Sequence, residues 1–182
     1  MLGLGSGISH ASSTLKKLLA TYESDFTSDA DSFEDYSIAS GTTEYAGNTD
    51  GFEGEDNTLR ITFEDAESSG GVKRSMSSVF TDRAIGDEYI ITLKIFLDSA
   101  YASVTNGWEG TDDVSTKFTV SNGSTNVDIS QNEWVDVSTS VIATNAAGAF
   151  NLFRITWGHD SSDQIQDGAR FYLKDIKIEQ YR

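Results

Sequence analysis

The sequence predicts an all-β protein, a jelly-roll β-sandwich preceded by a short N-terminal arm or helix. Three observations support this prediction. Apolar and polar residues alternate with a period of two in several segments, short clusters of Gly, Asn, Asp and Ser separate these segments, and neither strand–helix–strand alternation nor a fixed-length repeat is present. A chain of 182 residues is long enough for one such domain with a continuous core.

The final segment, residues 168–182, is rich in β-branched and aromatic residues and predicts a central strand that belongs to the core. Phe171 and Leu173 share one face of this strand, whereas Ile176 and Ile178 fall on the other under strict alternation. All four side chains can enter one core only if the alternation slips between Leu173 and Ile176. We therefore expect a β-bulge at residues 174 and 175.

The segments upstream follow the same logic. Leu59, Ile61 and Phe63 alternate with polar residues, as in a strand with one solvent-exposed face. Tyr89–Leu97 is more continuously apolar, as in a strand covered on both faces. Turn clusters such as Asn122-Gly123 separate the segments. The predicted strands are Tyr36–Ser40, Thr58–Glu64, Val72–Phe80, Glu88–Asp98, Thr116–Ser121, Asn126–Ile129, Glu133–Ile142, Phe150–Trp157 and Ala169–Tyr181.

The first 22 residues differ from the rest, so we place the domain boundary there, with an arm over residues 1–22 and the sandwich over residues 23–182. The start is spaced by glycines, and Ser12–Thr14 can cap a short helix over Leu15–Tyr22. Such a helix needs a surface to lie against. Either the arm packs loosely on its own domain, or it docks on a neighbouring subunit through its apolar residues, which are Leu2, Leu4, Ile8, Leu15, Leu18 and Leu19.

Composition restricts the partners. There are 13 basic and 29 acidic residues, a net charge of −16, and such a surface repels nucleic acid and anionic membranes. The absence of cysteine excludes disulfides, zinc–thiolate sites and thiol nucleophiles. No apolar run reaches the ~20 residues of a membrane span, and the N-terminus lacks the pattern of a signal peptide, so we expect assembly in a cytoplasm.

Several segments in this order resemble the jelly-roll carbohydrate-binding modules of families 4, 9 and 22. The resemblance covers roughly Glu23–Gln180. It depends on Asp25-Phe26 with Phe33 and Tyr36, on Thr58–Ile61, Gly86–Leu93 and Asn132–Val135, and on Phe171–Ile176.

The resemblance implies two kinds of site. Such modules often hold a structural Ca²⁺ between the opening segment and an Asp of the last strand, which here matches Asp175. Thr27 stands where the family has a carboxylate after the first Phe, so Glu23 and Asp25, or else Asp29 and Asp31, would have to substitute. Because calcium needs six to eight oxygen ligands, the alternative is that Asp175 is a bulge residue satisfied by its surroundings.

Glycan recognition in these modules relies on exposed aromatic residues beside polar groups. Trp108 lies in the predicted loop Asn106–Gly110 and is the best stacking candidate, whereas Trp134 and Trp157 are expected to pack in the core.

We predict no catalytic residues. His10 lies in the arm, and His159 lies beside Asp160 and Ser161 on one predicted loop without a nucleophile-elbow pattern. Carboxylate pairs will occur by chance among 29 acidic residues, and none lies in a recognisable glycosidase motif.

The opening Met-Leu-Gly-Leu-Gly-Ser-Gly resembles the starts of small virion proteins of tailed bacteriophages. Our first hypothesis is therefore a non-enzymatic virion protein, such as a capsid decoration protein, head fibre or tail appendage, assembled in the host cytoplasm. Its partners would be other virion proteins and further copies of itself, and a trimer suits three-fold positions. The alternative is a glycan-binding module that attaches to host or environmental polysaccharide. A secreted adhesin would require a signal sequence.

Overall fold

A computed structural model describes residues 15–36, 41–46, 55–64, 69–98, 113–145, 152–158, 165 and 167–182. These residues form strands and no helix, in agreement with the predicted all-β class. The strands are β1 (Leu18–Ser24), β2 (Glu34–Tyr36), β3 (Gly41–Ala46), β4 (Thr58–Phe63), β5 (Ser69–Ser75), β6 (Glu88–Leu97), β7 (Asp113–Val120), β8 (Gly123–Ser130), β9 (Trp134–Ile142), β10 (Leu152–Gly158) and β11 (Arg170–Tyr181).

The strands form two antiparallel sheets. The six-stranded sheet has the order β3-β4-β11-β6-β9, with β1 also paired to β11, and the five-stranded sheet has the order β2-β5-β10-β7-β8. Each sheet contributes its inward residues to one core. The largest fully buried side chains include Trp157, Tyr89, Phe63, Phe118 and Phe171. This two-layer arrangement confirms the predicted sandwich.

Strand β11 is the centre of the six-stranded sheet, and its bulge is where the sequence predicts it. The pairing with β6 shifts between Lys174 and Lys177, and Asp175 has a φ of 51°. Phe171 and Leu173 before the shift and Ile176 and Ile178 after it are all buried in the same core. The bulge thus keeps the apolar side chains on both sides of it on the inward face of β11, although they are out of phase in the sequence.

The same bulge divides one edge of β11 between two partners. Residues up to Leu173 pair with β4, and residues from Ile176 pair with β1. Strand β6 follows the opposite edge on both sides of the shift. The N-terminal strand of the sandwich is therefore held directly against its C-terminal strand.

The predicted helix over Leu15–Tyr22 is wrong. Residues from Leu18 form β1, which pairs with β11 from Leu18–Tyr181 to Ser24–Ile176. The apolar residues of this segment fit a helical spacing, but pairing with the exposed edge of β11 satisfies a whole row of backbone groups and buries Tyr22. Strand β1 crosses the proposed boundary after Tyr22, so residues 18–22 lie in the sheet.

Other strand boundaries differ more modestly. Strand β5 ends at Ser75, and the chain then turns, with the Val79 and Phe80 amides donating to the carbonyl of Met76. Strand β2 includes Tyr36, the first residue of the predicted strand Tyr36–Ser40, whereas residues 37–40 lie outside the described residues. Strand β3 is absent from the predicted set. No helix in the described residues is long and apolar enough to cross a membrane.

A buried carboxylate connects the turn before β6 to the end of β11. Asp87, 1% exposed, accepts hydrogen bonds from the Ala84 amide (2.7 Å), from Nε2 of Gln180 (2.7 Å) and from Nε of Arg182 (2.7 Å). Burial opposes the ionisation of Asp87, but these donors outweigh it and hold its pKa below the usual value. The end of β11 is thereby fixed by charge-assisted hydrogen bonds.

Candidate functional site

The residues expected to hold a metal lie around one pocket beside the bulge. Glu23 and Asp25 from the end of β1 and Asp175 from β11 line a pocket of about 320 Å³, together with Ser24, Ile176 and Lys177. The pairing of β1 with β11 brings them together, because Ser24 lies opposite Ile176. These are the residues that the resemblance places around a metal, and the strand pairing brings them to one pocket.

These residues do not fit a calcium site as they stand. Within the described residues, no group of three Asp, Glu, His or Cys side chains is placed to hold a metal ion. Asp29 and Asp31, the other candidates, form hydrogen bonds in the turn before β2. The carboxylate of Asp29 accepts from the Asp31 amide (2.7 Å), and the carboxylate of Asp31 accepts from Tyr22 and Arg74. Calcium binding therefore stays a prediction from the resemblance.

A second pocket of about 320 Å³ lies on the other side of the bulge, on the outward face of the six-stranded sheet. Thr92, Lys94, Asp136, Ser138 and Asp175 contribute polar groups to it. Nearby, the rings of Tyr172, Phe96 and Trp134 lie in one cross-strand row, with centroids 6.3 Å and 5.7 Å apart.

This aromatic row does not present a free platform. Phe96 and Tyr172 are each only 2% exposed, and Trp134 is partly covered. Trp134 therefore packs as a structural residue, although on the outward face and not between the sheets. Trp157 is fully buried and donates to the hydroxyl of Thr116 (3.0 Å), as expected of a core residue. Trp108 lies outside the described residues.

The anchoring residues of the arm are only partly described. Leu15 is 93% exposed and Leu18 is 45% exposed, whereas Leu19 is partly buried in β1. Leu2, Leu4 and Ile8 lie outside the described residues, as do His10 and His159. A docking role for the arm stays a prediction.

The outward face of the five-stranded sheet is the part that the sequence did not reveal. We call it the Tyr36 face. One row crosses all five strands through paired residues, and a second row lies beside it. The first row is Tyr36, Gly71, Thr156, Lys117 and Asn126, and the second is Glu34, Lys73, Arg154, Thr119 and Ser124.

Since neighbouring strands lie ~4.8 Å apart, each row spans about 19 Å. Lys117, Ser124 and Asn126 are exposed, and Tyr36, Lys73, Arg154 and Thr156 are partly exposed. The face therefore presents hydrogen-bonding groups and one aromatic ring along a strip long enough for a chain of several sugar units.

Tyr36 is fixed by two cations. Nη1 of Arg154 donates to the Tyr36 hydroxyl (2.7 Å), its guanidinium carbon lies 4.9 Å from the ring centroid, and Nζ of Lys73 lies 6.0 Å from it. Cation–π contacts of this kind are worth ~0.5–1 kcal/mol at exposed sites. They orient the ring before any ligand arrives, and pre-organisation of this kind lowers the entropic cost of binding.

Gly71 lies between Tyr36 and Thr156 in the first row and is buried. A Cβ at residue 71 would lie 2.0 Å from the backbone oxygen of Ile155, so the close approach of β5 and β10 requires glycine. Residue 71 therefore places no side chain between Tyr36 and Thr156 in the first row.

No protein-family model matches the sequence, and a search of curated proteins found no match. Solved structures do match. They include the CBM22-2 xylan-binding domain of Xyn10C from Paenibacillus barcinonensis (14% identity, TM-score 0.53, 86% of this chain and 97% of that chain). The tandem CBM22-1–CBM22-2 domain of the same protein matches with 12% identity and a TM-score of 0.57 over 92% of this chain and 47% of that chain.

A larger enzyme chain also matches: the MgGH51 α-L-arabinofuranosidase gives a TM-score of 0.61 at 10% identity, over 90% of this chain and 27% of that chain. The chain likewise spans only 28% of a Clostridium thermocellum xylanase chain that contains a family 22 module. At these identities the comparisons show the fold, which is the jelly roll of carbohydrate-binding modules.

The single domains matched over most of their own length include family 22 carbohydrate-binding modules. This likeness concerns the fold. The virion location, the virion partners and the homo-oligomer stay predictions from the N-terminal residues.

Proposed function

We propose that this domain binds a glycan chain across the Tyr36 face. The observation that supports it is the row of paired residues from Tyr36 to Asn126, in which the aromatic ring of Tyr36 is held in place by Arg154. The jelly-roll fold shared with xylan-binding modules supports the same proposal.

The chemistry of the face suits a sugar chain. A pyranose ring has apolar C–H faces and polar hydroxyl edges, so one aromatic surface beside fixed donors and acceptors recognises it. Tyr36 provides the aromatic surface, and Thr156, Lys117 and Asn126 provide hydrogen-bonding groups along the strip. Because these groups stand on paired strands and not on loops, their spacing is set by the sheet.

Isothermal titration calorimetry with a panel of soluble polysaccharides that includes xylan tests the proposal. We expect saturable binding by the wild-type domain and about 10-fold weaker binding after Tyr36→Ala, equivalent to about 1.4 kcal/mol. The matched control is Tyr181→Ala, which removes a partly exposed tyrosine from β11 of the other sheet.

Circular dichroism and thermal melts establish that both variants are folded. Unchanged affinity of Tyr36→Ala, or equal weakening by Tyr181→Ala, would contradict binding at this face. Failure of the wild-type domain to bind any glycan of the panel would refute the proposed function itself.

A further inference from the structure

The Tyr36 face gathers positive charge in a strongly acidic protein. Lys73, Arg154 and Lys117 stand on the three adjacent strands β5, β10 and β7, while acidic residues outnumber basic ones by 29 to 13 in the whole sequence. Among the described outward residues of its two rows, the only carboxylate is that of Glu34, at the edge of the sheet.

Two of these cations oppose each other directly. Lys73 is the cross-strand partner of Arg154, and Lys117 lies diagonally beside Arg154 because it pairs with the neighbouring Thr156. Like charges in directly opposed positions of a sheet destabilise it, since their Cβ atoms are only ~5 Å apart. The fold therefore bears an electrostatic cost at this position that a bound anion would remove.

The cations are poorly neutralised by the protein. Within the described residues Arg154 and Lys117 form no ion pair, and the single partner of Lys73 is the carboxylate of Glu34, 68% exposed, at 3.4 Å. In addition, Nε of Arg154 is buried and has no hydrogen-bond partner. Cations on the other sheet are paired, among them Lys94, Lys174, Lys177 and Arg182.

The overall negative charge does not prevent an anion from binding here. At physiological ionic strength the Debye length is ~8 Å, so most carboxylates outside this face are screened from a ligand on it. The two sheets are stacked ~10 Å apart, which places the carboxylates of the six-stranded sheet beyond that distance. The local field at the Tyr36 face is therefore set by its own charges, which are the three cations, Glu34 at the β2 edge and Asp128 on β8.

We propose that the glycan recognised at the Tyr36 face is an anionic polysaccharide, whose carboxylate or sulfate groups contact Arg154, Lys73 and Lys117. This inference depends on the proposed function and names its ligand class. Arg154 supplies a partly exposed planar guanidinium, suited to a carboxylate or a sulfate, and the two lysines add point charges on the neighbouring strands. A sugar chain satisfies the hydrogen-bonding rows, which a small free anion does not.

Matched pairs of polymers test the ligand class. Polygalacturonate is compared with its fully methyl-esterified form, and dextran sulfate with dextran, by isothermal titration calorimetry at physiological ionic strength. We expect at least about 10-fold tighter binding to the charged member of one pair, and the pair that shows it identifies carboxylate or sulfate as the group recognised. Single-stranded oligo-dT serves as a non-glycan polyanion.

The double variant Lys73→Gln/Lys117→Gln keeps the size of both side chains and is expected to weaken binding of the charged polymer about 10-fold or more. Affinity for xylan or another neutral glycan that binds should fall by a clearly smaller factor, because glutamine keeps a hydrogen-bonding group at both positions and removes only the charge. Lys177→Gln, which removes a partly exposed cation from β11, is the matched control and should leave both affinities unchanged.

The outcomes separate this inference from the proposed function. Binding of xylan or dextran without preference for a charged polymer overturns the anionic ligand but leaves glycan binding intact. Binding of no glycan overturns both. Tighter binding of oligo-dT than of any polysaccharide overturns the inference in favour of a nucleic-acid ligand.

Discussion

Replacing Asp87 with asparagine is expected to destabilise the domain by about 2–4 kcal/mol. The carboxylate of Asp87 accepts from the Ala84 amide, from Gln180 and from two nitrogens of Arg182, with donor–acceptor distances of 2.7–3.0 Å. Asparagine keeps one acceptor oxygen but turns an NH₂ group toward the remaining donors. Each hydrogen bond to a charged group is worth ~1.5–3 kcal/mol, so losing two of the four would cost about 3–6 kcal/mol in a fully buried site. Because the side chain of Arg182 is 41% exposed and water can solvate it, we expect the smaller range.

Thermal and urea unfolding measure the effect. For a domain of this size each kcal/mol lowers the Tm by about 2–4 °C, which predicts a decrease of about 4–16 °C. Asp82→Asn is the matched control, because Asp82 also contacts Arg182 (3.2 Å) but its side chain is 74% exposed. Its loss should change the free energy of unfolding by less than about 0.5 kcal/mol.

The pH dependence provides a second test. Because the folded pKa of Asp87 is lowered, its ionisation contributes stability above the unfolded pKa of ~3.9, and this contribution is lost as the pH falls through the folded pKa. The stability difference between wild type and Asp87→Asn should be complete at neutral pH and shrink below about pH 4. A difference under about 0.5 kcal/mol at neutral pH, or one that stays constant in acid, would refute the role of this carboxylate.

Two further substitutions test the backbone at the bulge and at the close approach of β5 and β10. Asp175→Val should lower the free energy of unfolding by about 1–2 kcal/mol, because a β-branched residue is strained at a φ of 51°. Asp175→Gly should be tolerated. Equal urea midpoints for the two variants would argue against this strain. Gly71→Ala should destabilise the domain by about 1–3 kcal/mol, since the added Cβ meets the backbone oxygen of Ile155. If the variant melted at the wild-type Tm, β5 and β10 would be able to separate at no cost.

The fold was predictable where local pattern and tertiary structure agree. The break in alternation between Leu173 and Ile176 has one simple structural solution, and the bulge at Asp175 is that solution. The first strand was not predictable in this way. The apolar residues between Leu15 and Tyr22 match a helical period, and only the free edge of β11, more than 150 residues further along the sequence, decides the outcome.

The candidate site was harder to predict for the same reason. Tyr36, Lys73 and Arg154 are far apart in the sequence, and each belongs to a strand that shows no motif. Their meeting depends on the order β2-β5-β10, which is a property of the sheet and not of any segment. By contrast, Asp25 and Asp175 were associated in advance because a family resemblance supplied the pairing that local sequence lacks.

The position of β11 has a consequence for biosynthesis. Its partners β1, β4 and β6 are all translated earlier, yet each needs it as a neighbour. While the ribosome is still upstream of residue 170, these three strands have unsatisfied edges, and contacts of such long sequence separation form slowly. The many surface carboxylates then have a second use, because mutual repulsion between nascent chains discourages aggregation until the last strand emerges.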